Sequence, residues 1–265
     1  MSNDAREQIY HDLHQGQLSA EEQKNRHSAR HILNMVQEYL QPQSVLDVGC
    51  GLGTWLSVAH NMGVDDIQGV EGPWADPRKF AIDPAKVLIT DLEKPFHLNR
   101  RFDLAICLEI GEHLFAQGAP HLVESLVRHS DHILFSAAIP HQGGHHHVNE
   151  QFPDYWANLF APHKYVPLDP FRGRLWHDAS IHWWLRQNIL LFVSEKALAD
   201  NEKLRKERDV VRPLSLVHPD VYMSRLQMAQ AQLQQFQQLV QVLSQGGTFQ
   251  AQRLPDGRLN LQRIA

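Results

Sequence analysis

Between Glu109 and His113 the chain places two carboxylates and an imidazole in five residues, Glu109-Ile-Gly-Glu112-His113. Like charges do not gather without compensation. The two glutamates repel unless one is protonated, hydrogen-bonded or shared with a cation, and the adjacent imidazole completes a face suited to a divalent metal. Such a mixed oxygen and nitrogen set takes Mg, Mn, Fe or Zn and does not choose among them. A histidine-rich stretch, His141-Gln-Gly-Gly-His-His-His147, follows some thirty residues later and runs into Val-Asn-Glu-Gln151.

A second cluster lies upstream, in Ser44-Val-Leu-Asp-Val-Gly-Cys-Gly-Leu-Gly-Thr54. Val45, Leu46 and Val48 read as a buried parallel strand, and Gly49, Gly51 and Gly53 let the backbone turn tightly into a helix. The dinucleotide fingerprint wants a glycine where Thr54 stands, which disfavours a pyrophosphate. Asp47, just before the first glycine, repels phosphate and attracts an ammonium group. S-adenosylmethionine fits both features. Three further predicted strands end in carboxylates in the order a doubly wound sheet requires. Glu71 would take the ribose hydroxyls, Asp91 with its neighbour Leu92 would meet the adenine, and Glu109 would end beside the transferring methyl.

In this ordered set the chain resembles the class I S-adenosylmethionine-dependent methyltransferases, over residues 20 to 195. The resemblance implies an α/β fold, a Rossmann-like doubly wound seven-stranded sheet with a final antiparallel strand. It also implies a polar or basic residue on the first helix, Arg26 or Ser28, reaching the cofactor carboxylate. The E-x-x-E-H turn is similar to the metal-binding motif of the small-RNA 2′-O-methyltransferases and of some ubiquinone-pathway O-methyltransferases. On that likeness His147 joins Glu109, Glu112 and His113 as the fourth ligand of one cation. Many class I methyltransferases carry the same turn without a metal, and the site then works through its side chains, with His113 or His147 as base beside Glu112. The run from Ile133 to Pro140, the Gly-rich loop, His147-Val-Asn-Glu-Gln-Phe-Pro-Asp-Tyr-Trp156 and Trp183-Trp-Leu-Arg-Gln-Asn188 resemble bacterial methyltransferases of surface-polysaccharide and glycan gene clusters. That implies a sugar or glycan hydroxyl as acceptor and gives Trp156, Trp176 and Trp183 a stacking role besides core packing; the alternatives are a metal-independent small-molecule O- or N-methyltransferase and a non-catalytic cofactor-binding or scaffold protein. Gly111 departs from the larger apolar residue usual in the turn.

The elements that must position these residues follow from periodicity. Ala20 to Leu40 reads as an amphipathic helix ended by Pro42, within an N-terminal helical lid of residues 1–43. Residues 44–195 form the methyltransferase domain. In it the strands Asp66–Glu71, Lys86–Asp91, Phe102–Glu109 and His132–Ser136 alternate with helices His113–Arg128 and Pro153–Phe160, and Lys164–Leu168 pairs with Asn188–Ser194. Residues 196–265 form a C-terminal helical extension and a small hairpin turning at Arg253–Leu259. There, Leu226, Ala229, Leu233, Phe236, Val240 and Leu243 recur in steps of three and four. This heptad seam has two readings, a homodimer through Met223–Gln245 or packing against the chain's own core.

The 265 residues are 43% hydrophobic, enough for a packed core, and the net charge of −5 argues against obligate nucleic-acid binding. The polar N-terminus and the lack of a long apolar run point to a cytoplasmic protein without a membrane span. Cys50 and Cys107, the only cysteines, read as reduced packing residues.

Overall fold

The computed structural model describes residues 19–210, 212–244, 246, 249–253 and 259–263. Residues 1–18 of the expected lid, Gln245 at the end of the expected heptad stretch and residues 254–258 of the expected hairpin turn lie outside the described residues. The chain divides into two compact units, Met1–His218 and Pro219–Ala265.

The first unit opens with α1 (Ala20–Gln37), started by Ser19, whose side chain accepts from the Glu22 amide. The helix buries Ile32, Leu33, Met35 and Val36 on one face. Strands β1 (Ser44–Val48), β2 (Asp66–Glu71), β3 (Val87–Ile89), β4 (Leu104–Leu108) and β5 (His132–Ser136) follow, then β6 (Tyr165–Leu168) and β7 (Leu190–Ser194). They form one sheet in the order β3-β2-β1-β4-β5-β7-β6. The first five are parallel, while β7 runs antiparallel to both β5 and β6. The expected Rossmann-like seven-stranded α/β fold is the observed one.

The helices α2 (Thr54–Asn61), α3 (Ala119–His129), α4 (Pro153–Phe160), α5 (Arg172–Leu175), α6 (Trp183–Asn188), α7 (Glu195–Asp200) and α8 (Glu202–Arg208) complete the unit. Two apolar clusters hold the layers together, one joining α1 and α2 to the sheet and the other joining α3 and α4 to its opposite face. The order reverses between β1 and β4, so a crevice opens beyond their carboxyl ends, where open α/β sheets bind ligands.

The helix expected from His113 begins instead at Ala119. Gly111–His113 is a short 3-10 turn, the chain then runs extended at Leu114, and Gly118 with Pro120 in the first turn sets the later start. The last strand likewise begins at Leu190, because Asn188 is the end of α6. Cys50 and Cys107 are free and buried. In the second unit α9 (Pro219–Ser244) precedes the antiparallel pair β8 (Phe249–Arg253) and β9 (Leu259–Arg263). Among the described residues no helix is long and apolar enough to cross a membrane.

Candidate active site

The loop after β1 is fastened to β2 through main-chain groups. The amides of Gly49 and Cys50 donate to the Val70 carbonyl at 2.8 and 3.2 Å. Glu71 continues the fastening, its Oε2 accepting from the Gly51 amide at 2.6 Å and its Oε1 from the Gly72 amide at 2.7 Å. Gly49 has φ +75, and a Cβ there would come 2.2 Å from the Ile110 side chain, so only glycine lets the loop approach the β4 end. Gly69 admits the Cys50 sulfur in the same way, at 2.8 Å from where a Cβ would stand.

A cavity of about 340 Å³ opens at this crevice, lined by Asp47, Gly49 and Gly51, by Leu108 and Glu109, by Glu21, Glu22 and Asn25 of α1, and by His182, Trp184 and Leu185. Four carboxylates face it and, among the described residues, no lysine or arginine does. Burial, and then the Glu71 charge, push the Asp47 carboxyl up to about 8. Burial also raises Glu71, against the opposing hydrogen bonds from Gly72, Gly51 and Trp74. An acidic, desolvated cavity of this kind favours a cationic ligand. Glu22 ties α1 to α2, because its Oε1 accepts from Thr54 Oγ1 at 2.7 Å and lies 3.1 Å from Arg26 Nε.

Asp47, Gly49, Gly51 and Glu109 therefore line the cavity, whereas Gly53, Glu71, Asp91 and Leu92 do not. Asp91 spends Oδ1 on the Glu93 amide at 3.0 Å and pairs Oδ2 with Lys94 at 3.1 Å. Leu92 is core. Neither Arg26 nor Ser28 lines the cavity; Ser28 is fully buried and accepts from the His182 amide at 3.3 Å. Trp156 is 2% exposed, packed on Phe135 and Gly111, and Trp176 packs on His218. Trp183 meets Trp184 edge-on; it is Trp184, stacked on His182 at 4.2 Å, that faces the cavity.

Beside the cavity, Glu112, His113 and His147 bring one ligand atom each to within 4.8 Å of one another. The Glu112 carboxylate is completely buried and neither oxygen has a hydrogen-bond partner of normal geometry. Burial and then the Glu109 charge drive its pKa well upward, and the nearby amides of Glu112 and Ala138 offset this only in part. The Glu112 carbonyl anchors the histidine loop, accepting from Val148 at 2.8 Å and Asn149 at 3.0 Å. His147 Nδ1 lies 2.9 Å from Glu150 Oε1, which leaves its other ring nitrogen for a ligand. The same glutamate accepts from the amides of His141 at 2.7 Å and Gly143 at 2.6 Å.

Glu109 stands apart from these three. Its oxygens accept from Gln142 Nε2 at 2.9 Å and Asn188 Nδ2 at 3.2 Å, and its backbone is left-handed, with φ 55. The Glu109 amide donating to the Ser136 carbonyl at 2.9 Å holds that conformation. Sequence reasoning missed Gln142, Glu150, His182, Trp184 and Asn188. All but His182 belonged to runs already singled out, Gln142 and Glu150 to His141–Gln151 and Trp184 and Asn188 to Trp183–Asn188, but none of them had been given a role.

The sequence matches the family described as "Methyltransferase domain" over residues 20–188, well over half of its length. The chain belongs to this family of enzymes. No curated protein sequence matches it. Among solved structures it is similar to the glycopeptide N-methyltransferase MtfA complexed with sinefungin, at 16% identity and a TM-score of 0.36, with 43% of this chain and 55% of that one covered. It is also similar to the methyltransferase domain of bacterial CtHen1-C, at 16% identity and TM-score 0.46, covering 65% and 97% of the two chains. A third is the sugar N-methyltransferase KedS8 from Streptoalloteichus sp ATCC 53650, at 18% identity and TM-score 0.45, covering 71% and 92%. The chain spans little more than half of MtfA and 61% of Streptomyces venezuelae DesVI.

Proposed function

We propose that the protein is an S-adenosylmethionine-dependent methyltransferase acting on a hydroxyl, with a sugar or glycan end as acceptor. The observation that carries the cofactor reading is the cavity beyond β1 and β4, lined by four carboxylates and, among the described residues, by no lysine or arginine. S-adenosylmethionine supplies a methyl group already activated on a sulfonium. Asp47 would hold its ammonium group, Gly49 and Gly51 give main-chain room beside it, and Glu71 keeps that loop against β2. With an activated methyl, the residues of this chain have two tasks: aligning the acceptor oxygen and removing its proton. Trp184, stacked on His182, offers a flat apolar face at the cavity for a sugar ring. The two buried free thiols suit the reducing cytoplasm.

Glu112, His113 and His147 fit one divalent cation. The support is the Glu112 carboxylate, buried with neither oxygen in a hydrogen bond of normal geometry, beside two imidazoles, one of them backed by Glu150. A cation held there supplies electrostatic stabilisation of an acceptor hydroxyl as it loses its proton. Glu109 belongs to the cavity side of the site, its oxygens occupied by Gln142 and Asn188. In the metal-free alternative His113 or His147 takes the proton directly, and the acceptor is a small-molecule hydroxyl or amine.

Titration calorimetry with S-adenosylmethionine, S-adenosylhomocysteine and NADH tests the cofactor, and tighter NADH binding overturns it. Mass-spectrometric screening of sugars, nucleotides, catechols and RNA ends tests the acceptor. Elemental analysis of untagged protein, with chelation and metal add-back, tests the cation. Full activity of metal-free enzyme together with full activity of His147→Ala would refute the coordination.

A further inference from the structure

Glu109 sits on a chain of side-chain amides whose direction is fixed from outside the active site. The main-chain amide of His218 donates to Gln187 Oε1 at 2.7 Å. A main-chain N–H is only a donor, so this bond settles which end of the Gln187 amide is oxygen. Gln187 Nε2 must then point the other way, and it donates to Gln142 Oε1 at 3.3 Å and to Asn188 Oδ1 at 2.9 Å. The amide of Ile139 donates to the same Gln142 oxygen at 3.2 Å, and Asn188 Nδ2 does so at 2.9 Å. With its oxygen thus fixed, Gln142 can present only its NH₂ group to Glu109, at 2.9 Å from Oε2. The three amide side chains are between 1% and 3% exposed, so water does not compete for these bonds.

The far end of this relay lies beyond the matched methyltransferase domain. Residues 212–218 run back across the first unit, held by the buried Arg172 guanidinium on the carbonyls of Leu214 at 2.6 Å and Pro213 at 3.0 Å. Ser215 is hydrogen-bonded to Asp154, and the His218 ring reaches the Trp176 carbonyl at 2.8 Å. This strap sets where the His218 amide points.

We propose that Gln142, Gln187 and Asn188 are positioning residues that, oriented by the main-chain amides of Ile139 and His218, hold Glu109 as a hydrogen-bond acceptor facing the cavity, so that the 212–218 strap completes the active site. The inference rests on the reading of the cavity as the S-adenosylmethionine site. Every group that meets the Glu109 carboxylate from this side donates; burial raises the carboxyl, and the hydrogen bonds from Ser136, Asn188 and Gln142 oppose that rise. A donor network fully satisfied in a dry setting also fixes the carboxylate's position, and that is what recognition of a single charged centre requires.

The test compares binding of S-adenosylmethionine, a sulfonium, with S-adenosylhomocysteine, the uncharged thioether, in wild type, Gln142→Met, Gln187→Met and the same changes in a Glu109→Gln background. The relay predicts that each methionine variant lowers the preference for the sulfonium by about tenfold while the unfolding midpoint stays near that of wild type. In the Glu109→Gln background the same substitutions should leave the preference unchanged. A merely structural role would weaken both nucleosides equally and would persist without Glu109, and that result overturns the proposal. A second reading needs no ligand: in the unliganded wild type, the side-chain NH₂ signals of Gln142 and Asn188 exchange slowly with solvent by ¹⁵N NMR, and Gln187→Met speeds exchange at Gln142. Fast exchange in wild type overturns the relay, whereas wild type that binds neither nucleoside overturns the cofactor assignment and leaves the NMR result to decide the relay.

Discussion

Asp47 combines a cost to the fold with the cofactor-holding role proposed for it. Its carboxyl is pushed up to about 8 by burial and by Glu71, against about 3.9 in an unfolded chain. Between those values the folded protein holds a proton that the unfolded chain has lost. Its contribution to stability is therefore lost as pH rises from about 4 to about 8 and is level above that. A cationic ligand reverses the balance by favouring the ionised form. Binding of S-adenosylmethionine at pH 7 should release close to one proton, read from calorimetry in phosphate and in Tris. Asp47→Asn should abolish that release and weaken binding about tenfold or more. Gly111 makes the complementary point about space: a Cβ there would meet the Trp156 ring at 2.4 Å. The glycine that departs from the usual apolar residue in this turn is the counterpart of a tryptophan in α4. Gly111→Ala should cost about 1–3 kcal/mol in denaturant unfolding, and adding Trp156→Phe should recover part of the loss. If the second change recovered nothing, the contact with Trp156 would not be the cause.

At the scale of elements, legibility followed how local each signal was. β1, β2 and β5 stand where alternating and continuous apolar runs place them, and α4 begins at Pro153 and ends at Phe160 as its proline and apolar spacing indicate. The turn after β4 read as the start of a helix because Glu112 and His113 are ordinary helix residues. Extended backbone at Leu114 and the late start at Gly118 overrode that propensity, leaving Glu112 in a tight turn under the histidine loop. The carboxylates and imidazole of the E-x-x-E-H turn were visible because they lie within five residues. Their supports were not: Gln142 is 33 residues from Glu109 and Asn188 is 79. Glutamine and asparagine carry no chemistry that marks them in a sequence, so only the topology that sets β5 and α6 beside β4 could reveal them.

At the scale of the whole chain, the matched domain ends at residue 188, yet the first compact unit runs to His218. The strap therefore belongs structurally to the catalytic unit, and what remains is the second unit, headed by α9. That helix carries Leu226, Ala229, Leu233, Phe236, Val240 and Leu243 at alternating steps of three and four, and its only charged residues are Asp220 and Arg225. A membrane surface is a poor match, since interfacial helices use a strongly basic polar face. A second copy is the better match: the stripe would pair with itself, and the glutamine-rich flanks impose no like-charge repulsion at the positions beside the seam. The expected particle has twice the 30.5 kDa chain mass in light scattering at micromolar concentration, and Leu233→Gln with Phe236→Gln should halve it without shifting the unfolding of the first unit. A wild-type chain that is monomeric throughout, or a double variant that destabilises the first unit, would return the stripe to its other reading, packing within the chain itself.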